Sequence, residues 1–328
     1  MRKAALDIGV TSGASMSQIV KMARQAEHAD VHGIWIGEDL RRGSDVFVQA
    51  SVAMLNAPSK VVGIGVTSPL VRNISTIARA GAALGEIDPA RFRLGLGVGG
   101  LQDLVRLGLP ADRPIALLRN AVQTVRRMWS GETLTIQDEH LDIHQFKASY
   151  QAQAKIAIYL GVRGPKLLRL ATGIADGVIL SGPMTYLKKA IDIVRRVAAK
   201  RKLQDDLKTV VWLPTLVSRR QIDQELARVV AATVIADTPT QVLEMAEISY
   251  EAVEQVQKTA QKRGYWAASK HVTDRLLHDF TISGKPSRIV EVFDALAGLG
   301  VDELVFGPPY GSPPLRSVRE VVEAWARQ

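Results

Sequence analysis

Short apolar runs alternate with amphipathic stretches along the whole chain. Residues 61–66 (VVGIGV) and 92–98 (FRLGLGV) are near-continuous apolar runs closed by polar or glycine-rich turns, the pattern of strands buried on both faces. Similar runs stand at 4–8 (AALDI), 33–36 (GIWI), 156–161 (IAIYLG), 177–180 (GVIL), 210–217 (VVWLPTLV) and 303–306 (ELVF). Between them lie stretches with helical spacing. Ser15 to Gln18 offers a capping box ahead of Ile19, Met22, Ala23 and Ala26. Ile74, Ile77, Ala78, Gly81 and Leu84 form one stripe, Leu118, Ala121, Val122, Val125 and Met128 another, and Leu187, Ala190, Ile191, Val194 and Val197 a third. Strand and helix in alternation predict an α/β fold, specifically a (β/α)8 TIM barrel, with a doubly wound sheet as the alternative. No linker divides the chain, so 1–328 reads as a single domain.

One connection is too long. Between the seventh and eighth runs lies a helical stretch from about 221 to 285, broken at Thr238-Pro239 and Gly264, where a crossover needs one helix of about a dozen residues. The surplus is expected to be a helical insertion that walls or covers a pocket. Residues 132–147 alternate around Leu141 and Ile143 and predict strand or loop, which argues against His140 and His144 as helical metal ligands; no metal site is expected.

Composition narrows the function. Of 328 residues, 47% are hydrophobic and 23% charged, as in an ordinary globular protein. Cysteine is absent, which excludes disulfides, thiolate catalysis and Cys-based metal sites. The formal charge is +9, but aromatics are only 5% and the basic residues are dispersed, with no helix-turn-helix, RNA-recognition or zinc-finger pattern. Nucleic acid is therefore not an expected partner, and an acidic small molecule suits the charge equally well. No apolar run approaches the ~20 residues of a membrane span, so a cytoplasmic protein is expected.

Two features carry candidate chemistry. Glycines alternate on two strands expected to be neighbours, Gly63 and Gly65 on one and Gly95, Gly97 and Gly99 on the other. Each strand then presents a bare face near its C-terminal end, on which a flat ring could lie; the alternative is that the glycines only relieve crowding inside the barrel. The turn Gly161-Val162-Arg163-Gly164-Pro165-Lys166 leads into a helix through proline at its first position, which leaves free N–H groups suited to a phosphate. Asp7 near the end of the first run, and Glu38 and Asp39 just past the second, are candidate acids, with caps or ion-pair partners as the structural alternative.

The stretches GIWIGED (33–39), GVTSPLVR (65–72), ARFRLGLGVGG (90–100), MWSGE (128–132), YLGVRGPKLLRLATGIADGVILSG (159–182) and LVFGPPYG (304–311) resemble the bacterial luciferase-like superfamily. Within it they are most similar to the methylenetetrahydromethanopterin reductases that use the deazaflavin coenzyme F420. The resemblance implies a luciferase-like barrel with the cofactor, F420 or alternatively FMN, across its C-terminal mouth. A non-proline cis peptide falls at Gly65-Val66, followed by Thr67, and backs the ring; Gly97 and Gly99 lie beside it. The cofactor phosphate maps to Gly161, Arg163, Gly164, Pro165 and Lys166, with Ser181 and Gly182. The implied activity is hydride transfer from the reduced deazaflavin to a one-carbon unit on a pterin substrate, with Asp7, Glu38 and Asp39 as catalytic candidates. A homodimer or homotetramer is likewise implied. Two departures stand out: the reductases commonly carry Asp-His where this chain has Glu38-Asp39, and a first-strand glutamate where it has Asp7. Three rivals remain open: an FMN-dependent monooxygenase, an F420-dependent dehydrogenase of an alcohol or sugar phosphate, and a non-catalytic flavin- or deazaflavin-binding protein.

Overall fold

Strands β1 (Ala5–Thr11), β2 (Gly33–Gly37), β3 (Val61–Thr67) and β4 (Phe92–Gly97) pair in parallel, each with the next. A short antiparallel hairpin, β5 (Thr133–Gln137) and β6 (Asp142–Lys147), stands apart from them. The parallel series resumes with β7 (Ala157–Gly161), β8 (Gly177–Leu180) and β9 (Lys208–Val217). The three-residue β10 (Ile282–Gly284) adds to the far end of β9, and β11 (Glu303–Tyr310) lies between β9 and β1. Because β8 pairs with β9 as well as β7, eight parallel strands close on themselves: a (β/α)8 barrel. This computed structural model describes residues 4–328 except 110, 151, 153–154 and 204–205.

Closure follows from the two kinds of apolar surface that each strand carries. Ile8, Ile34, Ile64, Leu94, Ile158 and Leu304 face outward into one large core shared with the helices, among them Ile74–Ile87, Pro114–Trp129, Met184–Lys200 and Pro286–Ala297. The alternate residues face inward, where Trp35, Tyr159, Ile179, Val210 and Val305 form a separate cluster with Val66 and Trp212 against it. The predicted stripes are the buried faces of their helices, except that Val197 is half-buried and Ala198 takes the core position after Val194; Ser15 caps the first and completes its capping box with Gln18.

Several strands run further than their sequence suggests. The first extends to Thr11, because Gly9 does not end it: a Cβ there would stand 2.7 Å from Val305 and 2.8 Å from the Trp212 ring, so the glycine makes room for inner-core side chains. The insertion resolves into the helices Gln221–Ala236, Thr240–Ala246, Tyr250–Arg263, Tyr265–Ala268 and Asp274–Phe280, broken where proline and Gly264 stand. Among the described residues no helix is long and apolar enough to cross a membrane.

Candidate functional site

A cavity of about 750 Å³ opens at the C-terminal ends of the barrel strands. Its floor comes from strand ends, Thr11 of β1, Gly37 of β2, Gly65 and Val66 of β3 and Gly161 of β7, and from Trp212 in the middle of β9. Its sides come from the connections that follow, with Val98 to Leu101 on one and Val162, Arg163 and Gly164 on another. The insertion supplies the remaining wall through Asp237, Pro239, Thr240, Gln241 and Val242. The volume is that of an ordinary cofactor or small-ligand pocket.

The glycines of β3 and β4 divide between the two roles considered for them. At Gly63 the inner face is filled by Trp35, whose ring a Cβ would strike, and Gly95 lies against the Ile64 carbonyl. These two are packing glycines, so the bare surface is smaller than two strands' worth. At Gly65 a Cβ would stand 3.0 Å from Trp35 and 3.3 Å from Trp212, with open cavity above. Gly65, Val66, Gly37 and Trp212 thus make a shelf for a flat ring, with Trp35 underneath. The Gly65-Val66 peptide is cis, and the β3–β4 register shifts between Ile64 and Thr67, so the chain bulges at that point. Gly97 and Gly161 hold the bulge from the side: a Cβ on either would come within 2.5 and 2.6 Å of the Val66 methyls.

Glu38 fixes the other side of the bulge. Its Oε2 accepts from the Thr67 hydroxyl at 2.8 Å, its Oε1 accepts from Arg72 Nε at 3.0 Å and from Arg72 Nη2, and its own amide donates to the Val66 carbonyl at 3.4 Å. Arg72 is held in turn by Asp45 at 2.7 Å. Glu38 therefore reaches the cavity edge with both oxygens engaged. Asp39 is turned away: its Oδ1 accepts the amides of Arg41 and Arg42 at 3.0 and 3.1 Å, which makes it the cap of its own loop.

Asp7 departs furthest from expectation. As the third residue of β1 it registers with Gly33, the first of β2, which places it at the N-terminal floor of the barrel, not the mouth. It is fully buried and bonded to His32 Nδ1 and Trp35 Nε1, both at 3.1 Å. Arg93 donates to both oxygens of Glu303 at 2.5 Å beside it. Burial opposes the Asp7 charge, but the hydrogen bond and charge of His32, with Arg93, hold its carboxyl below the usual carboxylate range. Burial and the Asp7 charge instead push Glu303 up to about 7, and the bond to Asp7 raises His32 against the effect of burial. Ligand atoms of Asp7, His32 and Glu303 lie within 4.8 Å of one another, yet Arg93 already supplies the positive charge that a metal ion would bring.

At the turn expected to hold a phosphate, Gly164 has φ +80°, a left-handed conformation that favours glycine, and it precedes Pro165, the first residue of the helix Pro165–Ile174. Arg163 and Gly164 line the cavity and Lys166 is exposed behind them. The arrangement suits an anion. Of the residues singled out in the sequence, Glu38, Gly65, Val66, Gly99, Gly161, Arg163, Gly164 and Ser181 meet at the cavity. Thr67, Gly97, Pro165, Lys166 and Gly182 stand behind its wall, the last packed on Tyr186. Sequence reasoning missed Thr11, Gly37, Ile179, Trp212, Asp237 and Gln241; only Gly37, closing an apolar run, left a signal.

A tricyclic ring with an anionic tail fits these residues: an apolar shelf, then an anion turn on the same cavity. The chain is 29% identical over 301 residues to the 5,10-methylenetetrahydromethanopterin reductase of Archaeoglobus fulgidus, covering 90% of each. It is 27% identical over 311 residues to the enzyme of that name from Methanolobus tindarius, covering 92% of this chain and 93% of the relative. The solved structure of the coenzyme F420-dependent tetrahydromethanopterin reductase from Methanopyrus kandleri has the same fold, with a TM-score of 0.85 at 20% identity over 99% of both chains. The sequence model described as luciferase-like monooxygenase matches residues 3–303, nearly the whole barrel, and by that match the chain belongs to the luciferase-like family.

Proposed function

We propose that this protein is an F420-dependent oxidoreductase of the methylenetetrahydromethanopterin reductase type, transferring a hydride from reduced deazaflavin to a pterin-bound one-carbon unit. The observation that carries the reading is the shelf of Gly37, Gly65, Val66 and Trp212 joined in one cavity to the Arg163-Gly164 turn. The full-length similarity to reductases of that name supports it.

Bound there, the deazaflavin supplies the hydride at its ring carbon. The protein's own residues bind and orient. Gly65 and Gly37 let the ring approach the backbone, and Val66 and Trp212 set its plane. Arg163 and the free amides of the Pro165–Ile174 helix take the phosphate. Hydride transfer needs donor and acceptor carbons about 3–3.5 Å apart, so fixing the ring plane is the main catalytic contribution. Glu38 acts as a positioning residue in this scheme, since its oxygens hold Thr67 and Arg72 around the bulge. Asp7, fully buried and bonded to Trp35, is not among the residues that line the cavity.

The test is a side-by-side titration of the purified protein with F420, FMN and NADPH, followed by anaerobic turnover of reduced F420 with methylenetetrahydromethanopterin. Binding of F420 in preference to FMN, with turnover, is the expected result. Selective FMN binding would move the protein to the monooxygenase reading, and F420 binding without turnover on pterin, alcohol or sugar phosphate would leave a binding protein.

A further inference from the structure

The insertion sends one carboxylate into the cavity. Asp237 directly follows the helix Gln221–Ala236 and lines the pocket beside the Arg163-Gly164 turn. Two of its three oxygens are engaged by the barrel's own loops. Its Oδ1 accepts the Gln102 amide at 3.1 Å, and its carbonyl accepts from Arg163 Nη1 at 3.0 Å. The third, Oδ2, takes no hydrogen bond from any described residue. It lies 3.2 Å from the place a Cβ on Gly100 would occupy, so the glycine leaves that side of the carboxylate uncovered.

We propose that Asp237 is a cofactor-binding residue, its Oδ2 receiving a hydroxyl of the polyol chain that joins the ring to the phosphate. This rests on the F420 reading above. Three observations point to a hydroxyl. A carboxylate oxygen repels an anion and attracts a donor, so the group facing it is not the phosphate itself. On the reading above the phosphate sits at Arg163 and Gly164 and the ring at Gly65 and Trp212; Asp237 borders the same cavity and is bonded to Arg163, so it stands at the phosphate end of a chain joining the two. Oδ2 is open to the cavity and not sealed inside the protein, so the donor of a bound ligand can reach it. The charged neighbours are Arg163 and Arg41, which favour the ionised form, and Asp103, which opposes it; burial is the largest influence and raises the carboxyl above its ordinary range.

The experiment is a cycle of residue against ligand group. Wild-type protein and Asp237→Ala are titrated with the ribityl-bearing deazaflavin and with a deazaflavin carrying only a methyl group at the same ring nitrogen. The expected result is a loss of about tenfold or more on the ribityl compound, as for one hydrogen bond to a charged group, with the methyl compound changed by less than about twofold. Equal losses on both compounds would reduce Asp237 to an anchor for the Gln102 loop and overturn the proposal, as would no loss on either. Asp237→Asn keeps an acceptor for Gln102 and separates folding from recognition: equal ligand discrimination in Asn and wild-type proteins, with Ala impaired on both compounds, counts against it. Failure of wild-type protein to bind any deazaflavin would overturn the F420 reading and this inference together, and that outcome is visible in the wild-type arm alone.

Discussion

The indole nitrogen of Trp35 donates to Oδ2 of Asp7 at 3.1 Å, and the same ring stands 3.0 Å from where a Cβ on Gly65 would be. One side chain thus joins the charged floor of the barrel to the shelf at its mouth. The floor fixes Trp35 by a hydrogen bond to a buried carboxylate, and Trp35 supports the backbone on which the ring is proposed to lie.

That floor makes stability depend on pH. Glu303 titrates at its ordinary 4.5 in the unfolded chain and at about 7 in the folded one. Across that interval the folded state holds a proton that the unfolded state has lost, so the Glu303 contribution is full below about 4.5 and disappears as pH rises through about 7. His32, raised above 6.5, acts in the same direction at the upper end, while Asp7, lowered from 3.8, acts only in acid. Calorimetric Tm is expected to fall between about pH 5 and about pH 8, and Glu303→Gln to flatten the fall. An unchanged slope in the variant would assign the dependence elsewhere.

Arg72→Met removes the cation from Glu38 without touching the cavity. Glu38 is 6% exposed and Arg72 20%, and breaking a buried pair of this kind costs about 3–5 kcal/mol, less where water reaches it. The bulge at Gly65-Val66 then loses its outer support. Both a lower Tm and a deazaflavin affinity reduced about tenfold or more are expected from thermal melts and fluorescence titration.

Gly97→Ala tests the inner support. The added methyl meets Val66 Cγ2 at 2.5 Å, and Val66 lines the cavity. Overpacking of this sort costs about 1–3 kcal/mol of stability, so a lower Tm is expected, and a Val66 side chain displaced into the cavity lowers cofactor affinity as well. Affinity equal to wild type would mean that the shelf is not where the ring rests.

Arg163→Met separates the ends of the ligand. It should weaken binding of the phosphorylated deazaflavin about tenfold more than that of the ribityl compound lacking phosphate, because only the former presents an anion to the turn. The readout is the ratio of the two dissociation constants; an unchanged ratio would place the phosphate elsewhere.

The chain's local pattern determined the order and kind of its elements. Buried apolar runs, capped amphipathic helices and one overlong connection announce a barrel with an insertion, because burial on both faces of a strand leaves a period that can be read without neighbours. The glycine turn at 161–166 was legible for the same local reason, and the Gly65-Val66 bulge through family resemblance. Which of these residues meet was decided only in three dimensions. Gly63 looks like Gly65 in the sequence, and the difference is Trp35, which fills one and only underlies the other. Asp7 looks like Glu38, an acid in or after a strand, until β1 continues past it and sends it to the floor. Asp237 carries no local signal at all, since its place at the mouth depends on how a helix more than fifty residues beyond the 161–166 turn packs against the barrel. Periodicity is a property of neighbours along the chain; a site is made by residues distant along it, and only packing brings those together.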